Sequence, residues 1–201
     1  AMQYEKIHVR VDDATIAATR RWIERAVIGL ELCPFARAPF VQQRVRIRVS
    51  HARDAQALAA DLQVEAELLA SGDPAQMETT LLVHPHVFAD FLDYNDFLDV
   101  ADAVLAELEL EGVLQVASFH PRYQFADAEP DAVENCSNRS PFPTLHLLRE
   151  SSIERAVELM PDTDAIYRRN IRTLPTLGHE GWRALCREAP PAPIPDPREN
   201  D

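Results

Sequence analysis

Two short apolar runs, Thr79 to Val83 and Val113 to Phe119, each end in a His-Pro dipeptide, and the stretch between them carries apolar residues at helical spacing. A strand, a helix and a second strand in that order are most simply parallel neighbours joined by a right-handed crossover. Their C-terminal ends then share one edge of a sheet, the edge at which open α/β sheets hold ligands. The second run is apolar enough along its length to read as a central strand. This unit predicts an α/β (α+β) chain, with a mixed sheet of four or five strands flanked by helices.

The remaining elements follow from period and punctuation. Tyr4 to Val11 alternates as an edge strand. Asp12 or Asp13 can cap a helix through Trp22 and Leu30 that must stop before Pro34. Gln43 to Val49 alternates arginine with Val45, Ile47 and Val49, and Arg53 to Ala70 reads as a helix closed by Gly72. The helix between the His-Pro strands begins near Val87. From Arg122 to Pro143 no period is visible, and so long an unstructured connection inside a compact domain points either to function or to an element that the pattern does not reveal. Thr144 to Arg149 resumes as a strand, Ser151 with Glu154 makes a capping box, and helices follow at about Asp162 to Leu174 and Gly178 to Glu188. Residues 1–189 are expected to form one globular domain. The segment 190–201, with five prolines between Pro190 and Pro197, is expected to be a disordered tail.

Charge narrows the function classes. Twenty Lys and Arg against thirty-three Asp and Glu give a formal charge of −13 over 201 residues. That argues against nucleic acid, whose binders place cations on phosphates, and against anionic lipid surfaces. No run reaches the roughly 18 apolar residues of a membrane span, and no secretory leader is apparent, so a cytoplasmic location is expected. Cys33, Cys136 and Cys186 make no CxxC pair, which suits reduced thiols. Gly-rich phosphate loops and the GxSxG elbow are absent from the sequence.

His84 and His120 each follow the last residue of a His-Pro strand, so parallel strands bring both imidazoles to one rim. His86 joins them if Pro85 keeps the backbone extended. His146, in phase with Thr144 and Leu148, lies near the same rim if its strand runs antiparallel. These four could hold zinc, iron or another divalent transition metal, or transfer protons near neutral pH. Each could equally be a hydrogen-bonded structural side chain. Arg139 and Arg149 present planar forks suited to a small anionic ligand; Arg139 could equally pair with Glu129, Asp131 or Glu134 to tie the long loop down. Cys33 follows a helix C-terminus, where the dipole does not activate a thiol, and reads as a small buried residue; the Cys33-Pro34 pair could also ligate haem. Asp90, Asp93, Asp96, Asp99 and Asp102, three apart, wind around their helix and read as a solvated face.

The chain resembles the bacterial family known as domain of unknown function 1415. The blocks that carry the resemblance run from Gly29 through Leu-Glu-Leu-Cys-Pro-Phe to Ala36, Leu82 to Pro85, Asp90 to Asp99, Ala117 to Ala126 and Asn138 to Glu150. The resemblance implies no activity, substrate or cofactor. It does raise Cys33 as a member of the site and implies that the Asn138-Arg139-Ser140-Pro141 loop is more than a linker. The expected function is therefore an enzyme, metal-dependent or using histidine as acid and base, acting on a small anionic molecule at one sheet edge, with His120, His146, Arg139, Arg149 and Cys33 at the site. The alternatives are a non-catalytic accessory protein with an acidic docking surface, or a haem protein. Oligomeric state is not legible in the sequence.

Overall fold

In the computed structural model, which describes residues 2–159 and 163–187, one four-stranded mixed sheet is covered by helices on both faces. The order of elements is α1 (Met2–Trp22), a π-helical turn (Ile23–Ile28), α2 (Arg37–Val41), β1 (Val45–Val49), α3 (Ala55–Ser71), β2 (Thr79–Val83), α4 (Phe91–Glu107), β3 (Leu114–Phe119), a 3-10 turn (Val133–Asn138), β4 (Thr144–Arg149), α5 (Glu150–Leu159) and α6 (Thr163–Cys186). The α+β class and the four strands are as expected. The Pro-rich tail, and Met160 and Asp162 at the late helix boundaries, lie outside the described residues. Among the described residues no helix is long and apolar enough to cross a membrane.

Strand order corrects the central expectation. The sheet runs β1-β2-β4-β3. β2 and β3 are parallel but not neighbours, because β4 lies between them and pairs antiparallel with both. β3 is therefore an edge strand, although its apolar run suggests a central one, and the central positions go to β2 and β4. The shared rim survives this change: two strands antiparallel to the same third strand still end at the same edge.

Local signals explain where most elements start. Asp54 caps α3, its carboxylate accepting from the Ala57 N–H at 2.8 Å, and Asp90 caps α4 by accepting from the N–H groups of Leu92 and Asp93. The chain at Val87 is thus still in the connection, and α4 starts at Phe91. Tyr4 to Val11 is helix, not strand: Met2 to Trp22 contains neither Gly nor Pro, so a helix that has formed downstream propagates through it, with Asp12 and Asp13 inside rather than at its start. Ser151 does not cap α5, whose first residue is Glu150. α6 is broken at Gly178, where φ 65° and ψ 176° leave the helical region at a residue without a Cβ.

The two faces carry separate cores. One, between the sheet and α3 and α4, centres on Leu58, Leu62, Leu82, Tyr94, Leu145 and Leu147. The other, beneath α1, the π-helical turn and α6, gathers Trp22, Ile23, Leu81, Val83, Cys136 and Leu174. The arginine face of β1 packs under α3, where Arg46 makes a two-pronged pair, at 2.7 and 3.0 Å, with Glu65, a residue only 3% exposed.

Candidate functional site

The rim places His84 and His120 together, as expected, but fully buried. Both rings pack on the Tyr94 ring of α4, with centroids 5.7 Å away for His84 and 5.1 Å for His120. Their hydrogen bonds assign their protons. The Arg122 N–H donates to Nδ1 of His120 at 3.0 Å, so the ring proton sits on Nε2, which donates to the Phe88 carbonyl at 3.0 Å. Nδ1 of His84 donates to the Val87 carbonyl at 3.2 Å. The Arg122 guanidinium donates to the Ala89 carbonyl at 3.1 Å. Three consecutive carbonyls, those of Val87, Phe88 and Ala89, are therefore held by the two His-Pro motifs and the arginine beside one of them. Phe88 sits at φ 59°, unfavourable for a side chain with a Cβ, and these bonds hold it there.

Burial pushes the His84 imidazole down to about 4, with further repulsion from His120. His120 is lowered too, burial again leading. The Tyr94 hydroxyl accepts from the Phe119 N–H at 3.1 Å and donates to the Thr144 carbonyl at 2.8 Å, taking the place of a direct bond at the end of the β3–β4 ladder. Burial raises its pKa strongly. These are neutral groups with their protons committed to the backbone.

The other predicted residues lie elsewhere. His86 is exposed and stacks on His51 at 6.1 Å, and His51 faces Asp12 at 3.1 Å. β4 is antiparallel, but alternation turns His146 to the face opposite Tyr94, opposite Leu81 and Ala117. The Thr79 hydroxyl has one proton and gives it to the Leu147 carbonyl at 2.6 Å, so at 2.7 Å it accepts from Nε2–H of His146. Burial lowers that imidazole to about 4. The four histidines thus do not converge on one point, and among the described residues no group of three or more His, Cys, Asp or Glu is arranged to hold a metal ion.

Arg149 is separated from the rim. It ends β4 at the far edge, is 6% exposed, and donates to the carbonyls of Leu69, Gly72 and Met77 at 2.6, 3.0 and 3.1 Å, closing the C-terminus of α3. Arg139 holds the long loop, donating to the Tyr123 and Pro130 carbonyls at 3.2 and 2.8 Å. The five aspartates of α4 and its cap are exposed.

Cys33 alone among the predicted residues opens onto a cleft. This cleft, of about 920 Å3, lies beside the rim on the face of α6 and the π-helical turn. Its floor and walls come from three distant stretches: Val27, Leu32 and Cys33; Phe119 with the loop from Phe125 to Asn138; and Asn170 with Leu174. Each stretch is locally constrained. A Cβ at Gly29 would lie 2.2 Å from the Arg25 carbonyl oxygen, so only glycine lets the chain leave the π-helical turn and swing Cys33 into place. The loop is tied by Asn135, which accepts from the Phe125 N–H at 3.0 Å and donates to the Glu129 carbonyl at 2.8 Å. Asn138 closes the outer edge of β3: its side chain donates to the Ser118 carbonyl at 3.2 Å and its own carbonyl accepts from the His120 N–H at 3.2 Å. Phe119 is braced from behind by Trp22, with ring centroids 5.2 Å apart. α6 is pinned by Asn170 to the Leu32 carbonyl at 3.3 Å and by Arg169 to Glu31 at 2.8 Å.

Burial raises the Cys33 thiol, against the opposing pull of the Phe35 and Ala36 N–H groups, so it stays protonated. Among the described residues no histidine is in the cleft lining to deprotonate it or to share a haem with it. Sequence reasoning finds Cys33, the Asn138 block and the Ala117 to Ala126 block that contains Phe119, but misses Asn170 and Leu174. No local signal ties α6 to a loop more than thirty residues earlier. No curated protein and no solved structure is significantly similar to the chain. The blocks that meet at the cleft and the rim fall within residues 14–184, which match the family model described as "Protein of unknown function (DUF1415)", and with most of the chain so matched the protein belongs to that family.

Proposed function

We propose that the protein binds a small organic molecule in the cleft beside the sheet rim, and that the rim histidines build the wall of that site rather than act in it. The observation that carries this is the cleft's construction. Its volume of about 920 Å3 falls in the range of small-molecule sites, and its walls mix the apolar Val27, Leu32, Phe119 and Leu174 with a few polar side chains. Three stretches far apart in the chain are each held by specific bonds so as to leave that space open. A thiol within the ligand space adds a polarizable contact, and its protonated state does not favour covalent catalysis.

A ligand-observed NMR fragment screen, followed by chemical-shift mapping on the labelled protein, tests this. Hits are expected to move the resonances of Cys33, Phe119 and Asn138, and to be lost in Ala126→Trp, which places an indole on the exposed lip of the cleft. Hits that map to another surface and survive that substitution would refute the proposal.

A further inference from the structure

We propose that the ligand of this cleft is a planar aromatic molecule that packs on Phe119 and Phe125; this rests on the cleft being the binding site. Phe125 supplies the first observation. Among the described phenylalanine, tyrosine and tryptophan side chains it alone is exposed, at 37%, and it stands in the cleft lining. The exposure does not come from a loose backbone. The Phe125 N–H donates to Oδ1 of Asn135 at 3.0 Å and the Phe125 carbonyl accepts from the Ala128 N–H at 3.1 Å, so the chain is tied on both sides of the ring. The Tyr123 ring braces it in a T-shaped contact with centroids 5.1 Å apart. The loop thus uses specific bonds to hold a large apolar ring in contact with water at a cleft, where burial would otherwise be favourable.

The second observation is a matching ring from a distant stretch. Phe119, at the end of β3, lines the same cleft. Trp22 braces it at 5.2 Å with the ring planes 70° apart, the same T-shaped contact, also at 70°, that Tyr123 makes with Phe125. Neither bracing ring is in the lining. Among the described ring contacts Phe119 and Phe125 make none with each other, so neither covers the other and both are available to a molecule in the space they line. Rings pair offset or edge to face at centroid separations of about 4.5–7 Å, a gain that a saturated body of the same size does not share. The Cys33 thiol adds a polarizable contact suited to a ring. Asn138 gives one amide N–H to the Ser118 carbonyl and keeps the second, which suits a polar substituent such as a carboxamide.

The test is an NMR titration of the full chain with two matched pairs of uncharged carboxamides that differ only in ring saturation: 2-naphthamide with decahydronaphthalene-2-carboxamide, and benzamide with cyclohexanecarboxamide. The saturated members are at least as apolar, so burial alone favours them and ring–ring contact reverses the order. The aromatic member of at least one pair is expected to bind about fivefold or more tighter, with its ring protons shifted upfield and the resonances of Phe119 and Phe125 displaced. In Phe125→Leu, an exposed position at which the urea midpoint should not move, that preference should shrink by about twofold or more. Equal or tighter binding of the saturated members in the cleft, or a preference that Phe125→Leu leaves unchanged, overturns the aromatic ligand while leaving the cleft as the binding site. If none of the four compounds moves the cleft resonances although screened fragments do, the aromatic ligand falls alone; if no fragment does, both proposals fall.

Discussion

Phe119 and His120 are adjacent in the chain, yet they serve opposite faces of the sheet and opposite physical situations. His120 turns to the α4 face, where it, His84 and Tyr94 form a buried stack whose ring protons and hydroxyl are committed to backbone partners. Phe119 turns to the α6 face and lines an open cleft together with Cys33, Asn138 and Leu174. The difference teaches that titratable side chains at a sheet rim do not by themselves mark a site. What distinguishes the cleft is open space of about 920 Å3, whereas the rim stack is closed and its hydrogen bonds are complete except for Nε2 of His84.

The contrast can be broken most forcibly at Tyr94. Tyr94→Ala removes a fully buried ring and leaves the Phe119 N–H and the Thr144 carbonyl unpartnered, so a loss of about 4 kcal/mol is expected in urea unfolding. A loss below about 1 kcal/mol would mean the stack does not hold the sheet end together.

Acid is the next largest perturbation. His84 titrates at about 4 in the fold against 6.5 when exposed. Between those values the unfolded chain takes up a proton that the native state excludes, so stability is complete above pH 6.5, falls as the pH drops through this window, and levels off below about 4. The shift corresponds to roughly 3 kcal/mol from this residue. A pH series of urea midpoints that stays flat between 7 and 4 would refute the neutral, shielded stack.

Arg149→Met separates structural from binding roles. It removes the donor to the carbonyls of Leu69 and Gly72 at the end of α3 and of Met77 in the following connection, for an expected loss of about 2 kcal/mol, with no change in fragment binding at the cleft. A selective loss of binding with stability intact would return Arg149 to the site. The smallest effect on stability belongs to Ala126→Trp, expected within about 0.5 kcal/mol of the parent because the position is exposed. Its effect should appear in binding alone.

Much of the fold was legible locally. The spacing of Val45, Ile47 and Val49 and the run Thr79 to Val83 mark strands, the alanine-rich stretch to Gly72 marks α3, and Pro34 forces a halt. Tyr4 to Val11 was not legible, because a short alternation also fits a helix when no breaker separates it from helical sequence downstream. Of the site, Cys33, Phe119 and Asn138 were legible through the motif blocks that contain them. Asn170 and Leu174 were not, since nothing near them in the chain reports which loop they meet.

By itself the sequence determined most of the elements after residue 11 and the common rim of β2 and β3, since period, proline geometry and strand direction are properties of short stretches of backbone. Only the tertiary structure decided that β4 enters between those strands, that His84 and His120 are closed against Tyr94 while His146 faces the other way, and that three remote stretches enclose a cleft. Sheet order and the allocation of hydrogen-bond partners are settled by contacts between residues far apart in the chain, where each donor can satisfy only some of the acceptors within reach, and local pattern carries no record of that choice.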